Sequence, residues 1–173
     1  FEDPRVELMH MDGRKYLEET GETFDAVIID LSDPLENAPS TLLYTREFYQ
    51  HAKNSLNPTG CVLVQSETLN PNRLEPHARI RNTLQSIFRV VRPYSYLSHS
   101  FHEIYSFILA SDSVDPMNMD VESVLEKRGL GLRYFSAELH RGMYHLPLYL
   151  RKAYEDFPNL ITDEDVVYYP NKT

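Results

Sequence analysis

The sequence predicts an α/β protein whose sheet carries helices on both faces. Short apolar runs alternate with longer amphipathic stretches along the 173 residues, which is the pattern of strands interleaved with helices. The hydrophobic fraction of 42% supplies enough apolar side chains for a packed core at this length. The run at residues 24–31 is long and rich in β-branched residues, as in a central parallel strand buried on both faces.

The first half of the chain predicts strand, helix, strand and helix over residues 5–10, 15–19, 24–31 and 45–56. Asp12-Gly13 forms the predicted turn into the first helix, and Ser32-Asp33-Pro34 ends the second strand. Residues 57–60 are expected to stop the second helix, because a proline cannot continue a helix and Gly60 suits a positive φ.

The second half predicts a strand, a helix, two strands and two helices over residues 61–65, 73–87, 90–97, 104–110, 121–127 and 137–154. The last of these helices is expected to be interrupted at Pro147. The two adjacent strands form a predicted antiparallel pair at a sheet edge, because their connection is too short for a crossover helix.

Composition excludes several classes of protein. Seventeen Lys and Arg against 26 Asp and Glu leave a net charge of −9, which argues against a nucleic-acid-binding surface. The single cysteine, Cys61, cannot form an intrachain disulfide, and no apolar run approaches the ~20 residues that cross a bilayer. The first residues lack the apolar segment of a signal peptide. We therefore expect a cytoplasmic protein without membrane contact.

Polar groups follow three of the predicted strands, at Asp12-Gly13, at residues 30–34 and at residues 65–68. Open α/β sheets bind ligands beyond the carboxyl ends of their strands, so these segments are the candidate site. Asp30 and Asp33 follow the most apolar strand, where two carboxylates favour a positively charged ligand. Asp33-Pro34 is equally suited to a turn or helix cap, and the residues alone leave both interpretations open.

Five short segments form a recognisable series along the chain: residues 3–7 (DPRVE), 12–17 (DGRKYL), 24–34 (FDAVIIDLSDP), 43–49 (LYTREFY) and 56–60 (LNPTG). Their order and spacing resemble those of the polyamine aminopropyltransferases, the family of the spermidine and thermospermine synthases. This resemblance implies a Rossmann-like fold of the class I methyltransferase type. It also implies transfer of an aminopropyl group from decarboxylated S-adenosylmethionine, the co-substrate, to putrescine or spermidine. Methylthioadenosine is released, without a metal or a tightly bound cofactor.

The resemblance also implies roles for individual residues. Asp30 matches the proton-accepting aspartate of the family, and Asp33 matches the acidic residue that holds the amine. Gln65 matches a polar position of the same substrate pocket, whereas Asp12-Gly13 and Leu31 match positions around the adenine.

Several parts of the family pattern have no counterpart in this chain. The amino-terminal β-domain, the first strands, the glycine-rich loop and the acidic residue that binds ribose are missing from it. The resemblance therefore implies a partial catalytic domain over residues 1–112 and a helical extension packed on it over residues 113–173. A homo-oligomer or a partner chain is expected to supply the other half. Glu36-Asn37, with Pro39 nearby, replaces a Gly-Pro, so the adenine contact at that place stays open. Ser100-Phe101 replaces a tyrosine, so the acceptor stays open.

Two other functions stay open from the sequence: a class I S-adenosylmethionine-dependent methyltransferase, and a non-catalytic partner subunit of an aminopropyltransferase. His99 and His102 are expected to be polar loop residues rather than metal ligands, and Cys61 a core residue. Glu67 is either a pocket residue or a solvated helix-entry residue. Helix packing is expected for Tyr44 and Tyr49. A packing or subunit surface is expected for the tyrosines of the tail, at positions 144, 149, 154, 168 and 169.

Overall fold

A computed structural model describes residues 2–34, 38 and 40–168. Glu36, Asn37, Pro39 and Tyr169 lie outside these residues. The strands are β1 (Phe24–Ile29), β2 (Leu56–Thr68), β3 (Val90–Ser98) and β4 (Glu103–Ser111). The helices are α1 (Gly13–Glu19), α2 (Arg46–Asn54), α3 (Glu75–Gln85), α4 (Val121–Arg128), α5 (Ala137–Met143) and α6 (Tyr149–Asp156). Two short 3₁₀ helices cover Thr41–Tyr44 and Pro116–Asn118.

The four strands form one mixed sheet in the order β1-β2-β4-β3. β1 runs parallel to β2, with Ile28 opposite Leu63. β4 is antiparallel to both of its neighbours, β2 and β3. The predicted antiparallel pair is therefore confirmed, with β3 at the edge and β4 inside the sheet.

The strand predicted over residues 5–10 is wrong. This segment has no regular structure, and Val6 and Leu8 are about half exposed. A strand needs a neighbour to satisfy its backbone hydrogen bonds, and none of the described residues pairs with this segment. The segment has the apolar alternation of a strand, but no strand of the described chain lies beside it to pair with it.

β1 is not buried on both faces as predicted. It lies at an edge of the described sheet, where it pairs with β2 alone, and 66% of the Ile28 surface is exposed. The opposite edge of β1 thus offers an unpaired backbone and an apolar side chain, which in folded proteins are normally covered.

The predicted helix end at residues 57–60 is also wrong, because these residues open β2. Helix α2 ends at Asn54, and Leu56 already pairs with Phe24 of β1. Gly60 is required by close packing rather than by a positive φ. A Cβ at this position would lie 2.9 Å from the carbonyl oxygen of Phe24.

Four helix starts are fixed by polar caps that the sequence makes visible. Side chains of Asp12, Thr45, Asp120 and Ser136 accept hydrogen bonds from backbone N–H groups of α1, α2, α4 and α5. Gly129 ends α4 in the left-handed region at φ +59°, where glycine is favoured. The predicted break at Pro147 separates α5 from α6.

Helices cover both faces of the sheet. On one face, α2 and α3 pack against Val62 and Val64 of β2 and Ile108 of β4 to form the main core. On the other face, α5 lies near β3, and Tyr144 contacts the ring of Tyr94 at 5.5 Å between centroids. This arrangement of helices on both faces of one sheet confirms the predicted class.

The tail packs on the same core through α3. Arg79 of α3 is buried, and it donates hydrogen bonds to backbone oxygens of Asn159, Leu160 and Asp165. The Asn82 side-chain amide donates to the backbone oxygens of residues 154 and 157. These contacts tie α6 and the segment after it to the sheet domain.

Candidate active site

The candidate site forms where β1 and β2 end side by side. Ile29, the last residue of β1, pairs with Val64 of β2. The chain therefore leaves β1 at Asp30, beside the last residues of β2, which include Gln65, and Asp33 follows three residues later. These three predicted residues thus lie at the carboxyl ends of two neighbouring parallel strands, where open α/β sheets bind ligands.

Buried hydroxyl groups hold the loop that carries the two aspartates. Tyr44 is fully buried and donates a hydrogen bond from its hydroxyl to the Ser32 backbone oxygen at 3.3 Å. Ser40 donates to the Asp33 backbone oxygen at 3.2 Å. The predicted packing role of Tyr44 is confirmed by its place in the core, and its hydroxyl adds a second role that residue type alone did not indicate.

Glu67 is the most perturbed acidic group of this cluster. Its residue is 1% exposed, its φ is +70°, and its Oε1 atom has no hydrogen-bond partner among the described residues. The side chain of Asp33 is close enough to influence this carboxyl group. Burial, and then the charge of Asp33, raise the pKa of Glu67 to about 8. The interpretation of Glu67 as a solvated helix-entry residue is therefore wrong.

The three carboxyl groups are close enough to influence the same tyrosines. Burial raises the pKa of Tyr44, and the charges of Glu67, Asp33 and Asp30 raise it further. Burial raises the pKa of Tyr96 and of Tyr105. The charge of Asp30 adds to the shift at Tyr96, and that of Asp33 adds to the shift at Tyr105. A cluster of carboxyl groups lined by phenol rings therefore lies at this end of the sheet.

Two features of this cluster fit a cationic ligand. Gln65 is 7% exposed, and its Oε1 atom is a second buried acceptor without a partner among the described residues. Buried acceptors left unpaired are costly, so orphaned oxygens at Gln65 and Glu67 mark a place where a donor is wanted. Tyrosine rings add surfaces that attract cations.

A buried histidine, His77, contacts the backbone at the end of β2. The Nδ1 atom of His77 lies 3.0 Å from the Ser66 backbone oxygen and 3.0 Å from Ser106 Oγ. Its Nε2 atom lies 3.1 Å from the hydroxyl of Tyr154 in α6. Ser106 also donates to the Glu67 backbone oxygen at 3.1 Å. This network fixes the backbone on either side of Glu67, whose φ is unusual for a residue with a side chain.

The predicted adenine-contacting residues divide into two groups. Gly13 and Leu31 line one cavity of about 300 Å³, whose wall is otherwise formed mainly by apolar side chains such as Val27, Leu43 and Phe48. Asp12 does not line it. Its exposed carboxylate accepts hydrogen bonds from the backbone N–H groups of residues 14 and 15 and caps α1.

The remaining candidates lie outside this cluster. His99 and His102 are exposed at the turn between β3 and β4. Among residues 2–34, 38 and 40–168, no group of three or more His, Cys, Asp or Glu side chains is arranged to hold a metal ion. The same residues include no helix that is both long and apolar enough to cross a membrane. Cys61 is half-buried, and burial raises the pKa of its thiol.

Sequence reasoning did not single out Tyr96, Tyr105 or His77. Tyr96 and Tyr105 lie opposite each other on β3 and β4, and opposite residues of an antiparallel pair point to the same face. The predicted pairing of these two strands could therefore have indicated that the two rings are neighbours. His77 carried none, because a histidine on the apolar side of a helix does not reveal which hydroxyls meet it in the fold.

Comparison with known proteins agrees with this architecture. Solved structures of spermidine synthases match the chain with the same fold. One, in complex with the transition state analogue AdoDATO, has a TM-score of 0.78, 26% identity, and coverage of 89% of this chain and 52% of its own. Another, from Thermotoga maritima, has a TM-score of 0.76 at 25% identity, with coverage of 89% and 51%. The sheet and its helices thus belong to a Rossmann-like, methyltransferase-type fold.

The family model described as the spermine/spermidine synthase domain matches residues 1–121. A polyamine aminopropyltransferase 2 from Hyperthermus butylicus is 40% identical over 98% of this chain and 57% of the relative. A polyamine aminopropyltransferase from Sulfolobus acidocaldarius is 34% identical with the same coverage of both chains. The chain belongs to the spermine/spermidine synthase family. It spans somewhat more than half the length of these relatives.

Proposed function

We propose that this chain carries the amine-binding and proton-accepting half of an aminopropyltransferase of polyamine biosynthesis. The observation that supports this most directly is the cluster of Asp30, Asp33 and Glu67 at the ends of β1 and β2, with unpaired buried oxygens on Gln65 and Glu67. Such a site suits a ligand that carries several ammonium groups. The proposed substrates are decarboxylated S-adenosylmethionine and putrescine or spermidine.

The reaction explains why the site needs carboxylates. An amine nitrogen attacks the carbon bound to the sulfonium sulfur; a C–N bond forms, the C–S bond breaks, and its electron pair goes to sulfur. The nitrogen must first lose its proton. With a solution pKa near 10.4, as for lysine, this costs about 3.4 pKa units at pH 7, or about 4.6 kcal/mol. A carboxylate positioned as a general base accepts this proton.

The carboxyl groups are proposed to divide the work. Asp30, which is exposed directly after β1, accepts the proton, whereas Asp33 and Gln65 hold the amine. One ion pair at ~4 Å and an effective dielectric constant of ~20 is worth on the order of 4 kcal/mol before desolvation. Glu67 adds to this set, because an incoming ammonium group favours its ionised form and supplies its unpaired Oε1 with a donor.

The co-substrate is proposed to lie on the other side of Leu31. Gly13 and Leu31 line an apolar cavity of about 300 Å³, which suits a flat adenine ring. Asp12 is proposed to act beside it through the turn that it stabilises at the start of α1. No metal and no tightly bound cofactor enter this proposal, because the sulfonium group itself activates the carbon.

The rest of the site is proposed to come from a segment that covers the free edge of β1. The exposed surface of Ile28 and the unpaired backbone of β1 support this proposal. The segment belongs either to the same polypeptide or to a partner chain of an oligomer. Residues 1–112 form the proposed catalytic part and residues 113–173 a helical extension on it. The proposed compartment is the cytoplasm, as expected from the lone Cys61.

The test is product analysis on the complete protein with Asp30→Asn. With decarboxylated S-adenosylmethionine and each amine, we expect the wild type to release methylthioadenosine and the variant to lose most of its turnover, about 10²-fold or more. Asp25→Asn, at the other end of β1, is the matched control and keeps its activity. Full turnover by the Asp30 variant would refute the assignment of the base. Methyl transfer from S-adenosylmethionine would instead indicate a methyltransferase, and no turnover by the wild type a non-catalytic subunit.

A further inference from the structure

A second cavity, of about 340 Å³, lies between α3, the start of β3 and α6. Its volume falls within the range of about 300–1,000 Å³ that is usual for small-molecule sites. None of its lining residues belongs to the carboxylate cluster or to the apolar cavity of Gly13 and Leu31. It is therefore a separate feature of the molecule, which the proposed function does not use.

The charge of this cavity is opposite to that of the protein. Arg81, Arg92 and Arg151 line it, and no Asp or Glu of the described chain does, although the net charge of the whole protein is −9. Arginine side chains that face one cavity repel each other unless anions compensate them. The cavity therefore favours an anionic ligand only if some of these guanidinium charges are not already compensated by carboxylates.

The contacts of the three guanidinium groups differ. Arg92 forms a two-bond ion pair with Asp115, at 3.0 and 2.5 Å, so its charge is compensated. Arg81 donates only to neutral oxygens, those of the side chains of Asn82 at 3.0 Å and Gln85 at 3.2 Å. Arg151 is exposed and has no side-chain partner among the described residues. Two guanidinium charges therefore remain available to a ligand.

The cavity also holds one guanidinium in place and offers an apolar wall. Arg81 lies over the ring of Tyr154, with its central carbon 4.8 Å from the ring centroid. Stacking of this kind restricts a long side chain, which lowers the entropic cost of binding through it. Tyr144, Leu146 and Pro147 provide apolar and aromatic surface beside it. A ligand here can combine an anionic group with an organic part.

We propose that this cavity is a binding site for a small organic phosphate. Arg81 and Arg151 bind the phosphate, because the planar guanidinium fork matches phosphate oxygens in two parallel hydrogen bonds. The organic part lies against Tyr144 and Leu146. The polyamine substrates are excluded from this site by their positive charge, so the cavity binds a different class of molecule from the carboxylate cluster.

The experiment uses phenyl phosphate as the probe, with inorganic phosphate and phenol as its two halves, in titration calorimetry on the complete protein. Phenyl phosphate is expected to bind with a dissociation constant of about 1 mM or lower, inorganic phosphate more weakly, and phenol not measurably. Arg81→Gln and Arg151→Gln are each expected to weaken phenyl phosphate about tenfold. Arg128→Gln, at the exposed end of α4, is the matched control and leaves binding unchanged.

The Arg151 variant separates loss of the binding site from loss of stability. Arg151 is exposed, so its replacement tests the site even if Arg81→Gln lowers stability by removing the stack on Tyr154. Equal binding by the wild type and the Arg151 variant, or no binding of phenyl phosphate to a folded wild type, would overturn the proposal. Because the readout is binding rather than turnover, the result is independent of whether the aminopropyltransferase activity is found.

Discussion

Replacing Glu67 by glutamine should change how stability depends on pH. Folding raises the pKa of Glu67 from 4.5 to about 8, so the folded protein holds this proton more tightly than the unfolded chain does. Its contribution to stability is therefore fully present below pH 4.5 and decreases as the pH rises towards 8. Glutamine has nearly the same shape and does not titrate, so Glu67→Gln removes this decrease.

The magnitude follows from the size of the shift. Each pKa unit corresponds to about 1.36 kcal/mol, and pH 7 lies about 2.5 units above the unfolded value of Glu67. Ionisation of the unfolded chain alone therefore costs the wild type on the order of 3 kcal/mol of stability between pH 4.5 and pH 7. We expect Glu67→Gln to become more stable relative to the wild type by this amount over that interval.

The assay is urea unfolding of the complete protein at several pH values between 4.5 and 8, without amine present. Glu164→Gln, at an exposed position, is the control and should follow the wild-type curve. Parallel curves for the wild type and Glu67→Gln would refute the argument, because they would mean that Glu67 is ionised in the folded protein at the pH expected for an exposed glutamate. In that case the carboxyl cluster would be open to water rather than desolvated.

Three further predictions concern stability. Burial lowers the pKa of His77 to about 4, so the contribution of His77 to stability should fall by about 3 kcal/mol between pH 6.5 and pH 4, opposite in sign to that of Glu67. In urea unfolding, His77→Gln should therefore gain about this much stability relative to the wild type over that interval, whereas exposed His145→Gln should follow the wild-type curve. Gly60→Ala should cost about 1–3 kcal/mol in thermal unfolding, because its Cβ meets a backbone oxygen at 2.9 Å, whereas Gly21→Ala has open space and should be nearly neutral. Arg79→Gln should cost about 3 kcal/mol, because three backbone oxygens of the tail lose their donor; an unchanged unfolding midpoint would contradict the anchoring role.

Much of the fold could be predicted from local patterns. The break at Pro147, the turn at Asp12-Gly13 into α1 and the antiparallel pair of β3 and β4 each depend on residues close together in sequence, and the structure agrees with all three. The errors arose where a distant partner decides. Residues 5–10 alternate like a strand but find no neighbour in the described chain. Residues 57–60 resemble a helix stop but lie within β2, between Leu56 and Cys61, which pair with β1.

The candidate site was predictable in position but not in its electrostatics. Asp30, Asp33 and Gln65 follow apolar runs of the sequence, and ligands of open α/β sheets bind at the carboxyl ends of the strands, so their position in the site could be predicted from the sequence alone. The same rule left Glu67 undecided, because glutamate is usually exposed and only packing reveals its burial against Asp33. The roles assigned to these residues stay predictions until the Asp30 and Glu67 variants are measured.

The sequence by itself determined the class of fold, the family and the segments that carry the carboxyl groups, because periodicity, caps and motif order are local properties of the chain. Tertiary structure alone decided which carboxyl groups are desolvated, which face of the molecule gathers Arg81 and Arg151, and how His77 supports the end of β2. The physical reason is that a pKa and a binding cavity depend on distances between residues far apart in sequence. Those distances exist only once the sheet has paired and the helices have packed on it.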